Sequence, residues 1–100
     1  MKMLTIVCRE GFEEEILLML GDLNITGFTV ISGVGGSGVT GTVTAKAWTQ
    51  RNTLYMIALD DAQMVPLVNA VRELHTDLVE EHGGHEVRFK AFVHPCDLIV

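Results

Sequence analysis

Five of the nine residues from Gly33 to Gly41 are glycine, and β-branched residues crowd both sides of them. The stretch "TGFTVISGVGGSGVTGTVT" (Thr26–Thr44) therefore reads as strand, glycine-rich connection, strand. That order is restrictive. A Rossmann fingerprint or a Walker loop needs a helix N-terminus behind its glycines, where free N–H groups and the helix dipole meet a phosphate. Here "VTGTVTAKAW" (Val39–Trp48) alternates valine and alanine with threonine and lysine, and no "GK[ST]" follows. A period of two is an extended arm. The two runs are expected to pair as a hairpin, with glycine supplying positive φ. A tight turn does not require five glycines, so two readings stand: a hairpin connection, or a loop ordered by a ligand or partner.

The rest of the chain supplies the partners of this hairpin. "KMLTIVC" (Lys2–Cys8) is β-rich and reads as a central strand broken by Gly11. Phe12, Ile16, Leu20 and Leu23 form a helical stripe, with Glu13, Glu14 and Glu15 in its first turn, where acidic groups suit the helix dipole. Phe28–Ile31 begins strand two, and "TLYMIALD" (Thr53–Asp60) is strand three. Asp60 or Asp61 can cap a helix carrying Met64, Leu67, Val68, Val71 and Leu74, with Pro66 near its start. "EEHGGH" (Glu80–His85) reads as a loop and "EVRFKAFV" (Glu86–Val93) as a last strand stopped by Pro95. The order β-α-β-β-α-β is an α+β fold, the split-βαβ ferredoxin-like unit with an antiparallel sheet.

Composition narrows the function classes. One hundred residues suit one domain, residues 1–100. A hydrophobic share of 48% is rich for so short a monomer and points either to a tight α/β core or to a buried subunit interface. Both faces of the first strand are apolar, Leu4, Ile6 and Cys8 on one and Met3, Thr5 and Val7 on the other. A net charge of −6 without a basic cluster argues against nucleic acid as a partner. No apolar run approaches the length of a bilayer span, so direct membrane insertion is not expected. No signal-peptide core follows Met1, so a cytoplasmic location is expected. Cys8 and Cys96 lack a C-x-x-C pattern and are expected as thiols. Antiparallel first and last strands would put them at opposite ends, beyond the reach of a disulfide.

His75, Asp77, Glu80, Glu81, His82 and His85 are the residues of metal-ligating type that cluster in sequence. The His82–His85 spacing crosses glycines, so no helix face sets its geometry. Trp48 is the sole tryptophan, suited to packing or to a partner contact. No nucleophile with a base at an interpretable spacing occurs, and a non-enzyme is expected.

Three segments resemble the PII signalling superfamily, the trimeric ferredoxin-like regulators that include nitrogen-regulatory PII and shorter PII-like proteins. "ITGFTV" (Ile25–Val30) is similar to that family's "G-x-T-V" approach to strand two. The glycines from Gly33 onward stand where it has the "K-G-x-G" start of its T-loop. "KAFVHPCDLIV" (Lys90–Val100) resembles its "K-I-F-V-x-P-x-x-x-x-I" ending. The departures are equally definite. The long T-loop with its modifiable tyrosine is largely missing, and Tyr55 is not its counterpart. "EEHGGHEVRFK" replaces the B-loop "T-G-x-x-G-D-G-K", keeping only Gly84 and Lys90, and the arginines beyond the last strand are absent.

The resemblance implies a PII-like homotrimer that binds a small effector, an adenine nucleotide such as ADP, AMP or ATP, in the cleft between subunits. Thr29, Gly35, Gly36 and Gly38 of one chain, with Gly84 and Lys90, are the implied nucleotide-binding residues. Lys90 would come from a neighbouring subunit. Val34, Ser37, Val39, Thr40 and Trp48 form the implied partner loop, and the partner is a regulated protein such as a membrane transporter. Two alternatives are a metal-responsive protein, resembling CutA or efflux-associated PII-like proteins and using His82, His85 and Cys96, and a ligand-free trimeric scaffold.

Overall fold

The computed structural model describes residues 1–35 and 51–100. Its elements are β1 (Lys2–Arg9), α1 (Glu13–Asp22), β2 (Thr29–Val34), β3 (Asn52–Leu59), α2 (Asp61–Glu81) and β4 (Phe89–Pro95). The strands form one sheet in the order β2-β3-β1-β4, every neighbouring pair antiparallel. This is the expected split-βαβ arrangement, with the two later strands flanking the first.

Period-two alternation divides the sheet into two faces. Leu4, Ile6 and Cys8 of β1 stand opposite Ile57, Tyr55 and Thr53 of β3, and all six are buried. They pack with Phe12, Ile16 and Leu20 from the first helical segment and with Met64, Leu67, Val71 and Leu78 of α2. Both helices therefore cover this face. On the other face the register sets Thr5 between Met56 and Phe92, Val7 beside Leu54, and Ile31 next to Leu54. No described element covers it, and Ile31 and Phe92 keep 45% and 58% of their surface exposed.

Local chemistry sets most boundaries as the sequence suggests. Asp60 is the cap of α2, its Oδ1 accepting from the Gln63 N–H at 2.7 Å. Glu13 closes the turn before α1, taking the Gly11 N–H at 2.8 Å while the Thr53 hydroxyl reaches it at 3.4 Å. Two expectations need correction. Pro66 lies in the second turn of α2, so its missing N–H removes a helical bond to Ala62, an exposed residue. The last strand covers Phe89–Pro95, three residues later at its start than expected. Gly83 and Gly84, both at positive φ, end α2, and the chain crosses the sheet end before pairing begins. Pro95 can end the strand because β4 is an edge.

Cys8 and Cys96 are free thiols at opposite ends of β1, as the antiparallel pairing requires: Cys8 faces Phe89, and the Cys96 N–H donates to the Met1 carbonyl. Burial, assisted by the Glu13 carboxylate, pushes the Cys8 thiol up to about 12. Burial, with Cys8 and Glu13 adding to it, pushes the Tyr55 hydroxyl up to about 12. The folded chain keeps both protons where the unfolded chain gives them up. Folding stability is therefore expected to hold to about pH 8 and to fall from about pH 9 towards pH 12. Urea titrations across that range should show the fall, with a shallower slope in Cys8→Ala. Thiol reagent at neutral pH should label Cys96 and reach Cys8 only on unfolding.

Candidate functional site

The end of the sheet at Arg9 gathers segments far apart in sequence. β2 finishes there, Val34 standing opposite Asn52, which stands opposite Arg9. β4 begins there, Phe89 standing opposite Cys8. The Arg9 N–H donates to the Arg88 carbonyl at 3.0 Å and the Glu10 N–H to the Arg51 carbonyl at 3.1 Å. Arg9, Arg51 and Arg88 thus join at one end of the sheet, and Lys90 lies one residue inside β4. These are four of the seven lysines and arginines of the chain. The ion pairs among the described residues are Lys90–Glu86 and the Met1 amino group with Asp61, so no carboxylate among those residues pairs with the three arginines. Sequence reasoning missed this cluster because only the strand register brings the three together.

One arginine is held in place. The Arg9 guanidinium lies 4.5 Å from the centroid of the Phe12 ring, and its Nη2 donates to His82 Nε2 at 2.8 Å. His82 Nδ1 contacts the Leu78 carbonyl at 2.7 Å. Both contacts are satisfied when Nδ1–H donates to the carbonyl and Nε2 accepts from Arg9. His82 is committed to ending α2 and positioning Arg9. Cys96 sits at the other end of β1, eight residues away, or roughly 25 Å. The expected metal set of His82, His85 and Cys96 is therefore not brought together. His75 packs against the Phe89 ring with centroids 5.8 Å apart. Among the described residues, no group of three or more His, Cys, Asp or Glu could hold a metal ion.

Of the residues expected to touch a nucleotide, Thr29 is exposed on β2, and Gly35 follows that strand. Gly33 has φ +74° at a bulge between Ile31 and Val34, which redirects the chain just before Gly35. Gly84 has φ +81°, and its N–H already donates to the Val79 carbonyl at 2.9 Å, while the Gly83 N–H donates to Glu80. These bonds satisfy the last carbonyls of α2. Gly84 therefore shapes the turn and does not offer a free donor. Lys90 Nζ lies 3.2 Å from Glu86 Oε1 in an exposed pair. Gly36, Gly38, Ser37, Val39, Thr40, Lys46 and Trp48 lie outside the described residues, as does the alternating arm Val39–Trp48; Val34, the remaining residue of the expected partner loop, ends β2 half-buried.

The two halves of the expected site lie on opposite edges. β3 and β1 separate β2 from β4, so Thr29 and Gly35 are three strand spacings from Lys90, about 14 Å. A single chain does not close this site.

The family model for nitrogen regulatory protein P-II matches residues 1–97. No curated protein matches the chain. Solved structures of CPII, a nitrogen regulatory PII-like protein from Thiomonas intermedia K12, share its fold. The form bound to ADP, AMP and bicarbonate is 18% identical, with 93% of this chain and 86% of that one covered at a TM-score of 0.64. The form bound to ADP and bicarbonate is 18% identical, with 93% and 82% covered at a TM-score of 0.65. No helix among the described residues is long and apolar enough to cross a membrane.

The structural role of Gly84 has a direct test. Its added Cβ would meet nothing within 4 Å, so Gly84→Ala is expected to cost only the left-handed backbone penalty, about 1–2 kcal/mol. Chemical denaturation should register that loss.

Proposed function

The chain belongs to the nitrogen regulatory protein P-II family, and from that premise we propose that it is a homotrimeric regulator that binds an adenine nucleotide between its subunits. The observation that carries this reading is the division of the implied site between β2 and β4, the two edges of one sheet. A neighbouring copy supplies the missing edge. Thr29, Gly35, Gly36 and Gly38 of one subunit then face Lys90 of the next. Arg9, Arg51 and Arg88 add positive charge where phosphates would lie, and Gly84 holds the turn that leads into β4. The apolar open face, with Ile31 and Phe92 exposed, gives copies a reason to associate.

The solved CPII structures contain ADP and AMP, and that chemistry fits the cationic end of this sheet. The Lys90–Glu86 pair is exposed and of small worth, so a phosphate can compete for Lys90. Nucleotide binding would bias the shapes available to the glycine-rich segment and change docking of a regulated protein, a membrane transporter being one such class. Val34, Ser37, Val39, Thr40 and Trp48 are the residues proposed for that contact. The role is regulatory, without catalysis.

Calorimetric titration with ADP, AMP and ATP tests this reading. Binding is expected, and Lys90→Ala should weaken it by about 1.5–3 kcal/mol, the scale of a charge-assisted hydrogen bond. Unchanged affinity would remove Lys90 from the site. No heat from any of the three at millimolar concentration would remove the nucleotide altogether.

A further inference from the structure

The groove between α1 and α2, of about 410 Å³, is lined by carboxylates from both helices and by apolar side chains between them. Glu15 and Asp22 line it from α1, and Glu73, Asp77 and Glu81 from α2. Leu18, Met19, Leu74 and Leu78 contribute apolar lining. The α2 carboxylates stand four residues apart, so they form one row on one helix face, about 12 Å long. No lysine or arginine lines the groove, and none of the five carboxylates belongs to an ion pair among the described residues.

This arrangement works against the stability of the isolated chain. Like charges at i and i+4 repel along a helix. Helix C-termini favour cations, yet neither α1 nor α2 has a basic residue in its last turn, and Asp22 and Glu81 stand there instead. Glu15 Oε2 is buried without a hydrogen-bond partner among the described residues, a cost to the isolated chain. Leu18, beside it in the groove, is 62% exposed.

We propose that this groove is a docking surface for a partner protein segment whose apolar side chains pack on its leucines and Met19 and whose lysines or arginines pair with the carboxylates of the two helices. The charge favours a polycation. The carboxylates are spread along the groove instead of converging, and they form no group able to hold a metal, so a point charge does not match them. The exposed leucine calls for an apolar face, which a polyamine lacks. The helices cover the sheet face opposite the open one, so the groove stays accessible when the open face is buried. The inference does not depend on nucleotide binding.

The probe is a fluorescein-labelled amphipathic peptide of leucine and lysine at helical spacing, with a scrambled peptide of equal composition beside it. Fluorescence anisotropy on the full-length chain should show binding that weakens as salt rises past roughly 0.1 M, where screening becomes short-ranged. The triple variant Glu73→Gln, Asp77→Asn, Glu81→Gln should weaken it about tenfold or more, the expected scale when facing charges are lost at an interface. That variant removes repulsion, so it keeps the fold and should melt at a higher temperature. Glu10→Gln, Glu14→Gln, Asp97→Asn removes the same charge elsewhere and should have little effect. Leu18→Ser should weaken binding without changing charge. Equal losses in the two triple variants, an inert Leu18→Ser, or equal binding of the scrambled peptide would reduce the effect to net charge and overturn the proposal. No binding of the probe at low salt would also overturn it.

Discussion

Among the described residues the sheet has two apolar faces and one set of helices, and the rest of the structure follows from that imbalance. Burial of Leu4, Ile6, Cys8, Tyr55 and Ile57 under α1 and α2 builds the core. The alternate residues, Met3, Thr5 and Val7 with Leu54, Met56, Ile31 and Phe92, are left facing outward on the far side. At roughly 25 cal/mol per Å² of apolar surface, a face of this kind gains from contact with a copy of itself. The same contact would join β2 of one chain to the region of β4 in another, and the proposed nucleotide site needs both. In the proposed trimer, assembly and ligand binding would rest on one surface.

The cationic end of the sheet shows a division of labour. Arg9 is held by Phe12 and His82, whereas the Arg88 carbonyl accepts from the Arg9 N–H and the Arg51 carbonyl from the Glu10 N–H. Gly83 and Gly84 turn the chain out of α2 and spend their N–H groups doing so. The residues that place the charge are distinct from those that would deliver it. Negative charge is distributed differently: five carboxylates line the outer groove and the arginines lie at the sheet end. A net charge of −6 conceals this separation.

Much of the fold was legible because it depends on local rules. The period of two in Lys2–Cys8, the stripe of Ile16 and Leu20, and the Asp60 cap each need only a short window of chain. The last strand was harder, since "EVRFKAFV" alternates equally well in several registers and only pairing with β1 selects Phe89 as its start. Gly84 ends α2, a role its sequence position did not reveal, because a glycine serving as a helix stop and one serving a phosphate are the same letter. The arginine cluster was invisible, its members being some forty residues apart and joined only by register. His82, His85 and Cys96 gave the opposite error: similar chemistry, placed by the fold at opposite ends of β1.

Sedimentation equilibrium of the full chain at micromolar concentration, beside Met56→Asp, tests the central claim most directly. Met56 sits in the middle of the open face, between Thr5 and Thr29 in register. The account requires a single species of three chain masses for the natural sequence, and dissociation when a carboxylate is placed on that face. A folded, stable monomer of the natural sequence at that concentration would contradict it.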